Sequence, residues 1–384
     1  MLPAKPWARR ILMRALTHAD FLAMKRFPAL DGLRAVAALL VVFFHFAGPK
    51  YSWLSGWTGV DVFFALSGFL ITTLMLREES GKGKVSLRNF YIRRVFRIMP
   101  VYYVVLFVAA VLFWLRHAFW GVDFSEQLPY YLTFTTEFAG GHSGGWFGLS
   151  WTLGIEQKFY LVWPLLAFGA GIAFSRLRPA LTLVLLPVLL ALGLLVKPMW
   201  INYFVILLGC LLAVMMHSKR GFAIVRPLTH PVFGIAATAL FVTSQLHVET
   251  MRDYFGGEEP PTIALYSVSV LLMLPSLLNS GPVTWLLSTK PLEFIGARSY
   301  SLYLVQFIAG IIVAGLATTF TESRLITAIA TTLIALALAD LLYRWVEQPM
   351  IGVGRRLTQR LKRKPPVEPL AVPMPVVAVA GVLE

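Results

Sequence analysis

The sequence predicts an all-α fold, a polytopic membrane helix bundle of about ten transmembrane helices with both termini in the cytosol. Three observations predict it. Of the 384 residues, 58% are hydrophobic and only 14% are charged, with a mean hydropathy of +0.72. An ordinary soluble domain carries about 25% charged residues. No soluble core could hide this much apolar surface, so the bilayer must act as solvent for much of it. Apolar stretches of spanning length recur along the chain, and basic residues gather in the alternate gaps between them.

The stretches lie near 30–48, 58–76, 98–116, 149–173, 180–196, 199–216, 230–246, 261–278, 294–317 and 325–346. A span needs about 17–25 residues. With the N-terminus in the cytosol, segments and helix ends on that side hold about 27 of the 34 Lys and Arg, as the positive-inside rule requires. Lys50, Arg116, Lys197, Arg252 and Arg324 fall outside, and Arg34 and Lys158 lie within spans. Adding or removing one span would scramble this partition. The net charge of +15 therefore reads as topology control, and no nucleic-acid partner is expected.

Residues 1–29 form a basic cytosolic segment, 30–350 the membrane-embedded domain, and 351–384 a basic, then Pro- and Val-rich tail that is predicted to be disordered. No small-residue cleavage site follows the first apolar run, which is predicted to be a retained helix. Residues 77–97, with seven basic residues, face the cytosol. Residues 117–148 face outward, and Leu128–Phe138 is placed along the interface. Cys210, the only cysteine, sits in an apolar run, so the chain can form no internal disulfide and no Cys-based metal site. No metal is expected.

Ionisable residues inside spans are costly and mark function by default. In the first span, DGLRAVAALLVVFFHF, Arg34 and His45 are 11 residues apart. At 100° per residue they share one helix face, roughly 16 Å apart along the axis. Asp61 in GVDVFFALSGF and Glu156 in LSWTLGIEQKFYLVWP fall at a depth similar to that of His45 in the outer half of the membrane. An imidazole beside a carboxylate is what a general base needs to take a proton from a hydroxyl, the carboxylate fixing the ring tautomer. An interhelical packing pair is the alternative reading. At the cytosolic side, Arg93, Arg94 and Arg97 cluster in YIRRVFRIMP. They read as positive-inside anchors or as guanidinium forks for the phosphates of a nucleotide-bearing donor. Arg34 and Arg97 suit the second role better because they border an apolar span. Tyr300 and Gln306 in GARSYSLYLVQF, and Glu347 in RWVEQP, are further polar candidates. Glu347 is either the partner of a nearby arginine or a helix-end charge.

Together, LDGLRAVAALLVVFFHF, GVDVFFALSGFLIT, RNFYIRRVFRIMPVYY, LSWTLGIEQKFYLVWPLL, IGARSYSLYLVQF and YRWVEQPM resemble, in order and over residues 29–350, the acyltransferase family 3 of integral membrane proteins. The resemblance implies an acyl-CoA donor, acetyl or short-chain, that enters from the cytosol. It implies His45 as catalytic base, with Glu156 and Asp61 beside it. Arg34, Arg97, Arg94 and Arg93 would contact the donor, with Ser150, Trp151, Tyr160, Tyr300, Gln306 and Glu347 in support. Two positions depart from the family pattern: Thr152 replaces a serine but keeps its hydroxyl, and Gln306 stands where a histidine is usual, which removes a proton shuttle there. Some family members carry an appended soluble esterase-like domain, and none is expected here.

The expected activity is acyl transfer from cytosolic acyl-CoA to a hydroxyl of a carbohydrate-type acceptor, a cell-envelope glycan, glycolipid or glycosylated metabolite, at the inner membrane. A transporter or flippase of envelope glycans or lipids would also need ten helices and intramembrane charges. Broken helices or inverted repeats would mark such a protein. The unrelated membrane-bound O-acyltransferase fold also uses a buried histidine, but the flanking motifs do not suit it.

Overall fold

A computed structural model describes residues 14–116, 124–139, 147–169, 175, 177–316 and 324–361. The described residues form helices and turns, with no strand among them. The main helices are α1 (His18–Ala23), α2 (Pro28–Phe46), α3 (Gly59–Lys82), α4 (Leu87–Arg116), α5 (Phe124–Thr133), α6 (Ser150–Phe168) and α7 (Arg178–Leu195). They continue with α8 (Trp200–His217), α9 (Pro231–Leu246), α10 (Glu259–Met273), α11 (Lys290–Ala297), α12 (Ser299–Leu316), α13 (Arg324–Leu342) and α14 (Gln348–Arg360).

Helices occupy all ten predicted stretches. Eight helical segments among the described residues are long and apolar enough to cross a bilayer. Lys219–Thr229 and Pro231–Leu246 pass the same test only as a pair, bent by 75° where they meet. A tenth crossing requires α6, whose apolar run is diluted by Glu156, Gln157 and Lys158. The bundle is thus an all-α membrane fold, with eight spans on composition alone, nine with the bent pair and ten with α6.

Small residues set the tightest crossing, as is usual where lipid removes the hydrophobic drive between helices. Helix α3 packs along most of α8. A Cβ on Gly68 would collide with the carbonyl of Ile206, and one on Gly209 with that of Ala65. Helix α2 lies at the centre, touching α3, α11, α12 and α13. Polar pins fix the periphery. Arg178 donates two parallel bonds of 2.6 Å to Glu79, stacks on Phe168 at 4.1 Å and so ties α3, α6 and α7 together. Such bidentate pairs fix geometry as well as charge. Lys158, which the sequence left within a span, donates to Phe134 O at 2.6 Å and to Glu137, pinning the segment after α5 against α6.

Both ends of the described chain pack against the bundle. The basic segment before α2 is strapped to the bundle: Leu16 N–H donates to Thr229 Oγ1 at 3.0 Å, and Asn279 Nδ2 to Arg14 O at 2.7 Å. Phe21 is fully buried against His217, with ring centroids 5.0 Å apart. Residues 351–360, read from sequence as the start of a disordered tail, are helical. A π-helical turn at Tyr343–Glu347 carries α13 into α14. Helix α14 packs on α4, with Gly354 against Phe96. Residues 1–13 and 362–384 lie outside the described residues.

Gly209→Leu should disrupt the α3–α8 crossing, since overpacking costs about 1–3 kcal/mol or more. A fall of several degrees in the thermal midpoint of the detergent-solubilised protein is expected. Gly352→Ala, where nothing lies within 4 Å of the added Cβ, should leave that midpoint unchanged or slightly raised.

Candidate active site

The polar residues of the spans line two cavities that meet inside the bundle. The first, of about 220 Å³, opens at the end where α2 and α4 begin. Arg34, Arg94 and Arg97 line it, with Lys25 and Arg77 toward its mouth and Glu156 as its one carboxylate. No carboxylate lies within 4.0 Å of Arg34, Arg94 or Arg97 among the described residues. Arg94 lies over the rings of Phe90 and Tyr160 at 5.6 and 5.5 Å. Glu156 accepts a 2.5 Å bond from Ser67, which in turn accepts from Tyr160 at 3.2 Å. Tyr300 donates to Ile98 O at 2.8 Å, so its ring fills the wall beside the arginines. Guanidinium groups with no paired anion, packed on apolar and aromatic walls, make a receptor for phosphate or pyrophosphate.

The second cavity, of about 520 Å³, lies at the opposite end, where α2 finishes. His45, Trp57, Asp61, Glu137 and Trp151 line it, together with Glu249, Arg252 and Glu259. The His45 ring sits between Phe44 and Phe307, each centroid 5.2 Å away. Its Nδ1 bonds to Val41 O at 2.7 Å, one helical turn back. A carbonyl can only accept, so Nδ1 carries the proton and Nε2 keeps its lone pair. Gln306 lies beside the ring, its amide donating to Tyr303 O at 2.9 Å.

Val60 and Tyr303 line both cavities. The Tyr303 hydroxyl accepts from Thr152 at 3.0 Å and donates to Leu149 O at 3.2 Å, which holds its ring at the junction. A basic chamber and an acidic chamber thus abut at one tyrosine, with a tautomer-fixed imidazole on the acidic side.

Several sequence-based groupings change. Glu156 is not in the cavity of His45; it faces the arginines. The tautomer of His45 is set by Val41 O, and no carboxylate lies within 4.0 Å of the ring among the described residues. Arg93 is exposed and paired with Glu78 at 3.0 Å, outside the basic cavity. Ser150 lines neither cavity; its hydroxyl braces Thr136 at 2.9 Å. Glu347 is 1% exposed and bonded to Ser301 at 3.2 Å, behind the arginines rather than on the cavity wall. Asp61, Trp151, Arg34, Arg94, Arg97, Tyr160 and Tyr300 do line a cavity. Sequence reasoning missed Lys25, Ser67, Arg77 and Glu137 as lining residues. It also passed over the letters Gly-x-Ser-x-Gly at Gly141–Gly145, which lie outside the described residues. A nucleophile elbow needs a strand before it, and the described residues hold none. No group of three His, Cys, Asp or Glu among the described residues is placed to hold a metal ion.

The family described as "Acyltransferase domain" matches residues 27–344. The chain belongs to acyltransferase family 3. Its relatives include the peptidoglycan O-acetyltransferase OatA of Listeria monocytogenes, 27% identical over 368 residues, which are 85% of this chain and 56% of that protein. YrhL of Bacillus subtilis, provisionally named a peptidoglycan O-acetyltransferase, is 27% identical over 373 residues, 87% of this chain and 56% of that protein. The chain therefore spans a little over half the length of these relatives. No solved structure matches it.

If the basic cavity is an anion receptor, inorganic pyrophosphate should bind the purified protein. Arg94→Gln and Arg97→Gln should each weaken that binding about tenfold, or about 1.4 kcal/mol, whereas Arg93→Gln should not. Calorimetric titration at low salt checks all three.

Proposed function

We propose that the protein is an inner-membrane O-acyltransferase that carries an acyl group from cytosolic acyl-CoA to a hydroxyl of a carbohydrate acceptor. The observation that carries this reading is the pair of oppositely charged cavities meeting at Tyr303, with His45 on the acidic side. Family membership supports the reaction class. The printed names of OatA and YrhL support a glycan as acceptor.

The positive-inside rule orients the bundle with both termini and the basic cavity in the cytosol and the acidic cavity outside, with ten spans including α6. Arg34, Arg94 and Arg97, with Lys25 and Arg77, hold the phosphates of the coenzyme. Ile71 and Leu74 on α3 offer an apolar path toward the junction for the pantetheine arm. Glu156, held by Ser67, is the one carboxylate on the wall that the arginines line and offsets part of their charge. It is a positioning residue for the donor, not a partner of the base.

On the outer side, Nε2 of His45 accepts the proton of the acceptor hydroxyl. The oxygen attacks the thioester carbonyl, the new C–O ester bond forms and the C–S bond breaks. The thiolate takes the proton from the imidazolium. Val41 O stabilises that imidazolium through the Nδ1–H bond. Gln306, which has no titratable proton, orients the ring and shuttles nothing. The bent pair 219–246 is the one feature that suits a transporter, but its residues line neither cavity.

In proteoliposomes supplied with acetyl-CoA and glycan acceptors, His45→Ala should lower turnover by about 10²- to 10⁴-fold, the usual scale of general-base catalysis. Folded yield and pyrophosphate binding should be unchanged; retained activity rejects the assignment. Orientation can be read separately, because Cys210 is buried. Of single cysteines placed at the exposed positions 253 and 280, a membrane-impermeant maleimide should label Asp253→Cys in intact cells and Ser280→Cys only after permeabilisation.

A further inference from the structure

The acidic cavity holds one carboxylate that the fold does not pair. Asp61 is 3% exposed, lies on the cavity wall and makes no hydrogen bond or ion pair among the described residues. The side chain of Glu137 is also 3% exposed. Its Oε1 is held by Lys158, while Oε2 is buried without a partner. Glu249 and Glu259 share Arg252 at 3.8 and 3.4 Å. Even with Lys158 counted behind Glu137, carboxylates outnumber cations around this cavity by two.

A buried carboxylate without a partner is costly unless it takes up a proton or something enters to pair with it. Neutral sugar hydroxyls would satisfy the lone pairs but leave the charge. An ammonium group satisfies both. The chain as a whole carries +15, so this pocket reverses the sign of the molecule locally, at the one place where the acceptor must sit beside His45. Trp57 and Trp151 on the same wall offer faces on which a sugar ring or a cation can stack.

Resting on the acyltransferase reading above, we propose that the acceptor is an amino sugar with a free, protonated amine, its ammonium held by Asp61 and its hydroxyl presented to His45. The carboxylate keeps the nitrogen as ammonium, which is not a nucleophile, so acyl transfer goes to oxygen and not to nitrogen. The same charge disfavours acceptors that carry a carboxylate or phosphate near the reacting hydroxyl.

The test is binding of glucosamine tetramer and of its fully N-acetylated counterpart to the full-length detergent-purified protein, measured by calorimetry without donor. The free-amine tetramer should bind at least about tenfold more tightly, and the margin should shrink as salt is raised. His45→Ala should keep that margin. Asp61→Asn should lose most of it, and Asp253→Asn, an exposed acidic position outside the cavity, should not. Equal affinity, or preference for the N-acetylated sugar, overturns the proposal whether or not the variants fold. If acetyl transfer to neutral glycans proceeds while the amine shows no preference, the function stands and this inference falls. If the amine binds selectively but no acyl-CoA supports transfer to any glycan, the acyltransferase reading is what fails.

Discussion

The organisation of this protein follows from one constraint, the cost of an unpaired charge in a low-dielectric bundle. Arginines within a span are tolerated when they face a water-filled or ligand-filled space, and carboxylates obey the same rule. Pairing one of Arg34, Arg94 and Arg97 directly with Asp61 would have been the cheaper fold. Instead cations predominate around one cavity and carboxylates around the other, with Val60 and Tyr303 between them. Charges kept apart in this way are available to ligands. Elsewhere the fold does pair its charges: Arg178 with Glu79, Arg298 with Asp340 at 2.6 Å, Lys158 with Glu137. The contrast separates scaffold from site.

The scaffold makes this separation possible by rigidity. The collision that any side chain on Gly68 or Gly209 would cause shows that α3 and α8 touch backbone to backbone, so α3 cannot roll. Helix α3 carries Asp61 on its first turn and Ser67 and Arg77 further along, and thus contributes to both cavities. Helix α2 does the same with Arg34 and His45. Two helices held at fixed rotation therefore set the spacing between anion receptor and base. The strap from Arg14 to Phe27 completes the basic end: Arg77 donates to Phe21 O at 3.2 Å and packs on Phe27, and Lys25 reaches the cavity mouth.

What the sequence made legible was depth, because hydropathy and helical rise report position along an axis. The ten stretches, the shared face of Arg34 and His45, and the opposed ends of the arginine cluster and the histidine all follow from counting residues. Rotation was not legible. Arg93 and Arg94 differ by 100° on one helix, which puts the first on Glu78 and the second in the cavity. Glu156 was grouped with His45 by height, but α6 turns it toward Ser67 and the arginines. Glu137 was hidden for another reason. It sits in a short hydrophilic turn, and only the contact with Lys158 across 21 residues brings it under the cavity. The helical tail was missed because composition weighs Pro and Arg toward disorder, whereas burial of Gly354 and Thr358 against α4 decides the outcome.

In the reaction proposed above, opposed charge at the two ends also gives a direction in space. A polyanionic donor is attracted to the basic cavity and repelled from the acidic one, and the acceptor inferred above has the reverse preference. Neither needs a moving gate to choose its side, because like-charge juxtaposition across a dry interface rejects the wrong partner. Under that proposal the junction has to satisfy only a local demand: the thioester reaches Nε2 of His45 past Tyr303 without the two chambers exchanging their charged ends. The Tyr303 hydroxyl is fixed by Thr152 and Leu149 O, on a ring too large to swing freely in a packed bundle. In the proposed reaction, the acidity of the chamber of His45 and the fixed ring of Tyr303 are therefore two parts of one arrangement, in which sidedness is a property of the resting fold.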